Sequence, residues 1–239
     1  MHPRLHHYPE EAELGAAKGG QSAPDHMINT IIAYDDNDVD FGIYFSESHN
    51  DIHSQFQLNA LINNVSISGI NCTEVGINQK LNSLNGGSFI FIAISHGNED
   101  ELWSHEVYIS SNNANKFNNS FVYSTACLTG KKLANILLEN GAVAFIGYND
   151  TILIPLDYSN LFYTCENFGI KSFVNNEETI EVCYNKLKEN YTSQIDLLLG
   201  GSLEELIIAS TLIDNRDKLI LLGNSTITRS YFDNQELIK

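Results

Sequence analysis

An α/β fold around a mostly parallel sheet is what this sequence predicts, and three observations carry the prediction. From Met27 onward, short apolar runs alternate with stretches of helical periodicity, the pattern of strands joined by crossover helices. Two of the runs, Ser88–Ser95 and Ser120–Thr125, are continuous, rich in β-branched and aromatic residues, and bounded by Gly or Asn. They read as strands buried on both faces. No repeat and no linker divides the chain, whose 239 residues are enough for one large domain.

In order, Thr30–Tyr34 and Phe41–Ser46 read as strands separated by the acidic turn Asp35-Asp36-Asn37-Asp38. Asn50-Asp51 is expected to cap a helix carrying Ile52, Phe56, Leu58, Leu61 and Ile62. Val65–Ile70 reads as a second parallel strand and Gln79–Leu84 as a short helix, ahead of the strand Ser88–Ser95. Alternation over Glu101–Lys116, around Leu102, Val107 and Ile109, predicts a hairpin or an excursion over the sheet edge. After Ser120–Thr125 comes a helix over Gly130–Leu138, stopped by Asn140-Gly141, and then a buried strand, Ala142–Gly147. Helices are predicted over 158–168, 176–191 and Leu203–Leu212, and Lys218–Gly223 is the closing strand.

Residues 1–26 differ from everything that follows. They hold His2, His6 and His7, a Gly-Gly and a Ser-Ala-Pro, without apolar periodicity, and His26-Met27 has the form a cloning site leaves before a start codon. They read as an expression leader, leaving 27–239 as the domain.

A formal net charge of −17 argues against nucleic acid or an anionic membrane as partner, since carboxylates neutralise neither. No apolar run approaches the roughly 18 residues that a bilayer span requires. The four cysteines, Cys72, Cys127, Cys165 and Cys183, show neither CxxC nor any other zinc-ligand spacing, and no disulfide framework is indicated. A cytoplasmic location is the expectation. So are the absence of a metal or organic cofactor and of nucleic-acid and membrane partners. Asp36, Asp38, Asp40 and Glu47 have the spacing of a calcium loop, but Phe41 stands where such a loop needs Gly, so the segment reads as a turn.

The chemistry sits at two strand ends. His96-Gly97 follows the first apolar run and Ala126-Cys127 the second, so neighbouring strands deliver an imidazole and a thiol to one sheet edge. In a sheet of this kind that edge, at the carboxyl ends of the strands, is where ligands bind. A thiolate is the nucleophilic form of Cys, and His is the natural base to generate it. Acyl transfer also needs backbone N–H donors aimed at the developing oxyanion, and Gly97 permits close approach.

These segments resemble the caspase–hemoglobinase superfamily of cysteine peptidases, and look closest to its CHAT-type, gingipain-like and metacaspase-like branches. Phe91–Gly97 resembles the family's His-Gly strand end, and Ser124–Gly130 its small-Ala-Cys-x-x-Gly nucleophile segment. Gly141–Gly147, the Phe162-Tyr163…Gly169 helix and Leu221–Ser225 are similar to the elements that follow in the family. The resemblance covers roughly residues 41–228. It implies a three-layer α/β/α sandwich and a cysteine endopeptidase working through a thioester, with His96 as general base and acid, Cys127 as nucleophile, and the N–H groups of Gly97 and Cys127 as oxyanion hole. A protein or peptide substrate and a regulatory protein partner are implied with it.

Departures bear on specificity. Thr125 stands where caspases carry Gln, and no Arg follows the first strand to receive a substrate aspartate. Ser48-His49-Asn50-Asp51 occupies that place, similar to the Asn-Asp of metacaspases, which prefer basic residues at the cleavage site. Cleavage after Lys or Arg is therefore the expectation, with Asp51, Asp150 and Asp157 as candidate specificity carboxylates. A plain helix N-cap is the rival role for Asp51 and a solvated loop acid the rival role for the other two. His105 reads as a hairpin surface residue. Lys131 and Lys132 read as a solvated helix face, with a nearby field favouring the Cys127 thiolate as the alternative. The competing reading of the whole chain is an interaction module in a signalling or defence system, catalytically silent or activated by a partner.

Overall fold

Six strands form the central sheet of the computed structural model, which describes residues 27–233; the leader expected over 1–26 lies outside the described residues. The chain runs β1 (Ile28–Tyr34), α1 (Gly42–Gln57), β2 (Ile62–Ser68), α2 (Glu74–Ser83) and β3 (Phe89–Ile94). A small antiparallel sheet follows, of β4 (His96–Gly97), β5 (Leu102–Trp103) and β6 (Val107–Ile109). Then come β7 (Ser120–Ser124), α3 (Leu133–Glu139), β8 (Ala144–Tyr148), α4 (Ser159–Asn175), α5 (Ile180–Leu198), α6 (Leu203–Asp217) and β9 (Leu219–Gly223). The sheet order is β2-β1-β3-β7-β8-β9, parallel throughout except for β9, which pairs antiparallel with β8.

Why the central strands are continuous apolar runs is clear from the two cores. Ile32, Ile90, Ile92, Phe121, Tyr123 and Ile146 face one layer of helices, α1, α4, α5 and α6. Alternate residues Ile31, Phe91, Ala93, Val122 and Phe145 face α2, α3 and the small sheet. Every residue of β3 and β7 is buried, as strands covered on both faces require. Each large side chain so buried contributes roughly 1.5–3 kcal/mol of transfer free energy. The result is the three-layer sandwich expected. Among the described residues, no helix is long and apolar enough to cross a membrane.

One predicted element is overturned. Phe41–Ser46 is not a strand but the start of α1. The Asp38 carboxylate accepts the N–H groups of Asp40 (2.9 Å) and Phe41 (2.6 Å), and the Gly42 N–H reaches the Asp38 carbonyl, so the chain turns directly into a helix. Tyr44, Phe45, Ser48, Ile52 and Phe56 then form its buried face at helical spacing. A short aromatic run looks like a strand until the residues beyond it set the period. Asp51 accordingly lies inside α1 and does not cap it. Ile62, expected at the end of that helix, opens β2, and α2 begins at Glu74 because Thr73 caps it through the Gly76 N–H. The excursion over Glu101–Lys116 is the small sheet, with His105 exposed in its turn.

Under the sheet, Glu166 of α4 is 1% exposed. Its carboxyl accepts from the hydroxyls of Tyr44 (2.5 Å) and Tyr148 (3.5 Å), Tyr148 in turn meets Tyr191 (2.8 Å), and Tyr123 donates to the Glu166 carbonyl. Burial pushes the carboxyl up to about 8, with the Tyr44 and Tyr148 hydrogen bonds opposing only in part. In the unfolded chain the same group titrates near its ordinary value of about 4.3. The folded state therefore binds the extra proton between those values. This contribution to stability is whole below the unfolded value and is lost as pH rises through the folded one. Glu166→Gln keeps an acceptor for Tyr44 and adds a donor toward Tyr148 without a charge. It is expected to raise the melting temperature at pH 8.5 and to change it little at pH 5; equal pH slopes for the two proteins in thermal denaturation would refute this account.

Candidate active site

Parallel pairing of β3 with β7 sets Ala93 opposite Ser124, and the Thr125 N–H continues the ladder onto the Ala93 carbonyl at 3.0 Å. Carried forward two and three residues, that register brings Ser95 level with Ala126 and His96 level with Cys127. The two strand ends touch. A Cβ on Gly97 would lie 2.7 Å from Thr129 Cγ2, 2.9 Å from Ala126 Cβ and 3.0 Å from the Cys127 carbonyl oxygen. Only a residue without a side chain permits this approach.

Beyond the sheet the two chains part sharply. His96 enters β4 and pairs with Trp103 of β5. After Cys127 the chain turns at Leu128, whose φ of +65° is in the left-handed region and costs a branched residue about 1–2 kcal/mol. The turn is held by Leu128 N–H on the Asp150 carbonyl (3.2 Å) and Gly130 N–H on the Tyr148 carbonyl (2.8 Å). A sharp turn after the Cys presents its side chain at the rim, instead of continuing the strand.

His96 is held on three sides. Trp103 stacks on its ring, with centroids 4.7 Å apart, while Phe41 and Phe45 meet it edge-on at 5.8 and 5.3 Å. Asp38 Oδ2 lies 3.0 Å from His96 Nε2. Burial alone would raise the Asp38 carboxyl, but the Phe41 N–H, the His96 ring and the Asp40 N–H outweigh it and hold the group below its ordinary value. An ionised carboxylate only accepts, so the Nε2 that faces it carries a proton. Sequence reasoning passed over Asp38, reading it as a turn acid. No local spacing could have found it, because Asp38 meets His96 only through the tertiary adjacency of β1 and β3.

Cys127 is the cysteine that reaches the surface; Cys72, Cys165 and Cys183 are buried. Its Sγ accepts the Ile152 N–H at 3.4 Å from the loop that follows β8. Burial pushes the thiol up and the Glu166 charge adds to the rise, whereas the Ile152 N–H and the Lys218 charge pull it down. The loop lies at the carboxyl edge of the sheet and holds Asp150, exposed beside β8, and Asp157, exposed in a short 3-10 turn over Leu156–Tyr158.

Of the other candidates, Asp51 pairs with Lys171 Nζ at 2.7 Å and accepts from Asn167 at 3.0 Å, both on α4. It lies more than two turns along α1 from Asp38 and is already neutralised. Lys131 and Lys132 pair with Glu99 at 3.2 and 2.9 Å, so the surface reading holds for them.

No protein-family model matches the sequence, and no curated protein does. By structure, the chain is similar to RgpB of Porphyromonas gingivalis in a complex of its pro- and mature domains: TM-score 0.58, 13% identity, 87% of this chain and 50% of that one. It is likewise similar to the Arg-specific cysteine proteinase gingipain R (RgpB), with TM-score 0.58, 14% identity, and 87% and 49% of the two chains. The chain thus spans about half the length of these structures. The likeness shows the fold alone, an α/β sandwich built as in these two structures.

Proposed function

We propose that this chain is a cysteine endopeptidase module, gingipain-like in its fold, that hydrolyses peptide bonds through a thioester on Cys127. Support for the reading comes from the close approach of Gly97 to Ala126 and Cys127 just past the paired ends of β3 and β7, with Asp38 on the His96 ring. His96 Nδ1 takes the thiol proton as Sγ attacks the scissile carbonyl carbon. The N–H groups of Gly97 and Cys127 receive the oxyanion. Collapse expels the amine, which His96 protonates; water, deprotonated by the same ring, then cleaves the thioester and frees the thiol. Asp38 stabilises the imidazolium formed on the way.

A basic residue at the cleavage site is the specificity we propose. Support comes from the net charge of −17 and from Asp150 and Asp157 on the loop beside Cys127. Asp51, spent on Lys171, is left out of the pocket. The RgpB complex contains a pro-domain; by the same logic, a regulatory protein segment is the partner class proposed here beside substrate. A silent interaction module is the second reading, drawn from the burial that raises the Cys127 thiol.

Purified protein is expected to cleave a peptide library varied at the residue before the scissile bond, preferring Lys or Arg, with Cys127→Ala and His96→Ala inactive. An aspartate preference would overturn the specificity and spare the mechanism. Cleavage that survives Cys127→Ala would overturn the mechanism. Absence of both cleavage and His96-dependent labelling by a thiol-directed peptidyl probe would favour the silent module.

Asp38→Asn retains a carbonyl oxygen for the turn but sets an amide against Nε2, which forces the proton onto Nδ1. A loss of roughly 10²- to 10⁴-fold in kcat/KM is expected, with the melting temperature nearly unchanged. Wild-type kinetics in this variant would remove Asp38 from the mechanism.

A further inference from the structure

The segment that carries the Ile152 N–H to Cys127 is held at two points by the end of α6. Asn215, fully buried, accepts the Leu153 N–H at 3.1 Å and donates to the Leu153 carbonyl at 2.8 Å. Lys218 Nζ donates to the Thr151 carbonyl at 2.6 Å. The held residues flank Ile152, itself only 7% exposed, whose N–H meets Cys127 Sγ at 3.4 Å. A loop free to move would not keep one amide on a sulfur, and a buried Asn that spends both ends of its side chain on a single residue 62 positions away is a costly device for mere loop packing.

We propose that Asn215 and Lys218 are positioning residues that hold the 151–153 segment with the Ile152 N–H aimed at Cys127 Sγ, where it stabilises the thiolate. A backbone N–H is a stronger partner for a thiolate than for a thiol, since charge-assisted hydrogen bonds are roughly twice as strong as neutral ones. The Ile152 N–H at 3.4 Å thus favours the thiolate, against the longer contact of 3.9 Å in which the thiol donates to the Ile152 carbonyl, and the Lys218 charge acts in the same direction as the N–H. The other charged and titratable groups about the sulfur are His96 on the neighbouring strand end and Glu166 on α4. Asp214 on α6 pairs with Lys218 at 2.5 Å, and the exposed Asp150 carboxylate accepts the Thr151 N–H at 2.8 Å. The proposal rests on the peptidase reading for its purpose but not for its test.

The rate of alkylation of the full chain by iodoacetamide, followed against pH with Cys127→Ala as blank, reads thiolate formation without any substrate. Asn215→Ala is expected to move the midpoint upward by about one pH unit and to slow alkylation at pH 7 by about tenfold. Lys218→Met is expected to shift it in the same direction, and Lys218→Gln, which keeps a donor for Thr151 but no charge, by less. If Asn215→Ala fails to fold, judged by its thermal transition, the two Lys218 variants decide alone. A midpoint unmoved in the folded variants would overturn the proposal. Faster alkylation would overturn it too, since it would make the segment a cover over the nucleophile. Failure of the peptidase reading would appear separately, as no peptide cleavage by the wild-type protein with this midpoint shift intact.

Discussion

Register between β3 and β7 is the constraint on which the rest depends. Each strand buries both faces, so a slip of one residue would turn Phe91 and Val122 toward the α1–α4 layer and Ile90, Ile92 and Phe121 toward the α2–α3 layer. Neither core has room for the other's side chains, because interiors are packed to crystal-like density. The hydrophobic cores therefore fix the alignment of the strands, and that alignment brings the segments carrying His96 and Cys127 together just past the strand ends. Geometry at the carboxyl edge of the sheet is inherited from the packing below it.

Past the strand ends, polar and aromatic contacts take over from the cores. Asp38 joins two tasks in one carboxylate, one oxygen turning the chain into α1 and the other receiving the His96 ring. Phe41 and Phe45, delivered by that same turn, press on the ring edge-on while Trp103 covers a face. A ring fixed by three aromatics and one carboxylate has few rotamers left, which lowers the entropic cost of holding it in one orientation. On the other side of the site, burial and Glu166 work against the thiolate, and the Ile152 N–H and the Lys218 charge offset them only in part.

The central strands, the small sheet, the closing strand and the placement of His96 and Cys127 at two strand ends were legible in the sequence, because in each the pattern is local: a continuous apolar run, or a dipeptide at its end. Failures share a cause. Phe41–Ser46 is too short for its period to be read alone, and its helical character is decided by Asp38 before it and by Ile52 and Phe56 after it. Asp51 looked like a cap or a pocket acid because Lys171, its partner, is 120 residues away in sequence. Asn215, Lys218 and Glu166 carried no signal at all. An ordinary polar residue on a helix becomes part of a site only through tertiary placement, and no spacing rule reports that.

Placement of Asn215 and Lys218 follows from the one antiparallel strand. Pairing of β9 with β8 sets Leu219 opposite Tyr148, so β9 begins where β8 ends, and the Asn149 N–H reaches the Lys218 carbonyl at 3.0 Å. The end of α6 is thereby brought to the carboxyl edge of the sheet, beside Cys127. Had β9 run parallel like the other five strands, its start would lie at the opposite edge, with Lys218 about 13–17 Å away at 3.3 Å per residue over a five-residue strand. Reversal of the last strand thus gives Cys127 a nearby cation and a held backbone amide from a helix that would otherwise end on the far side. Alternation of strand and helix along the sequence is the same for either direction, so only the paired register reveals it.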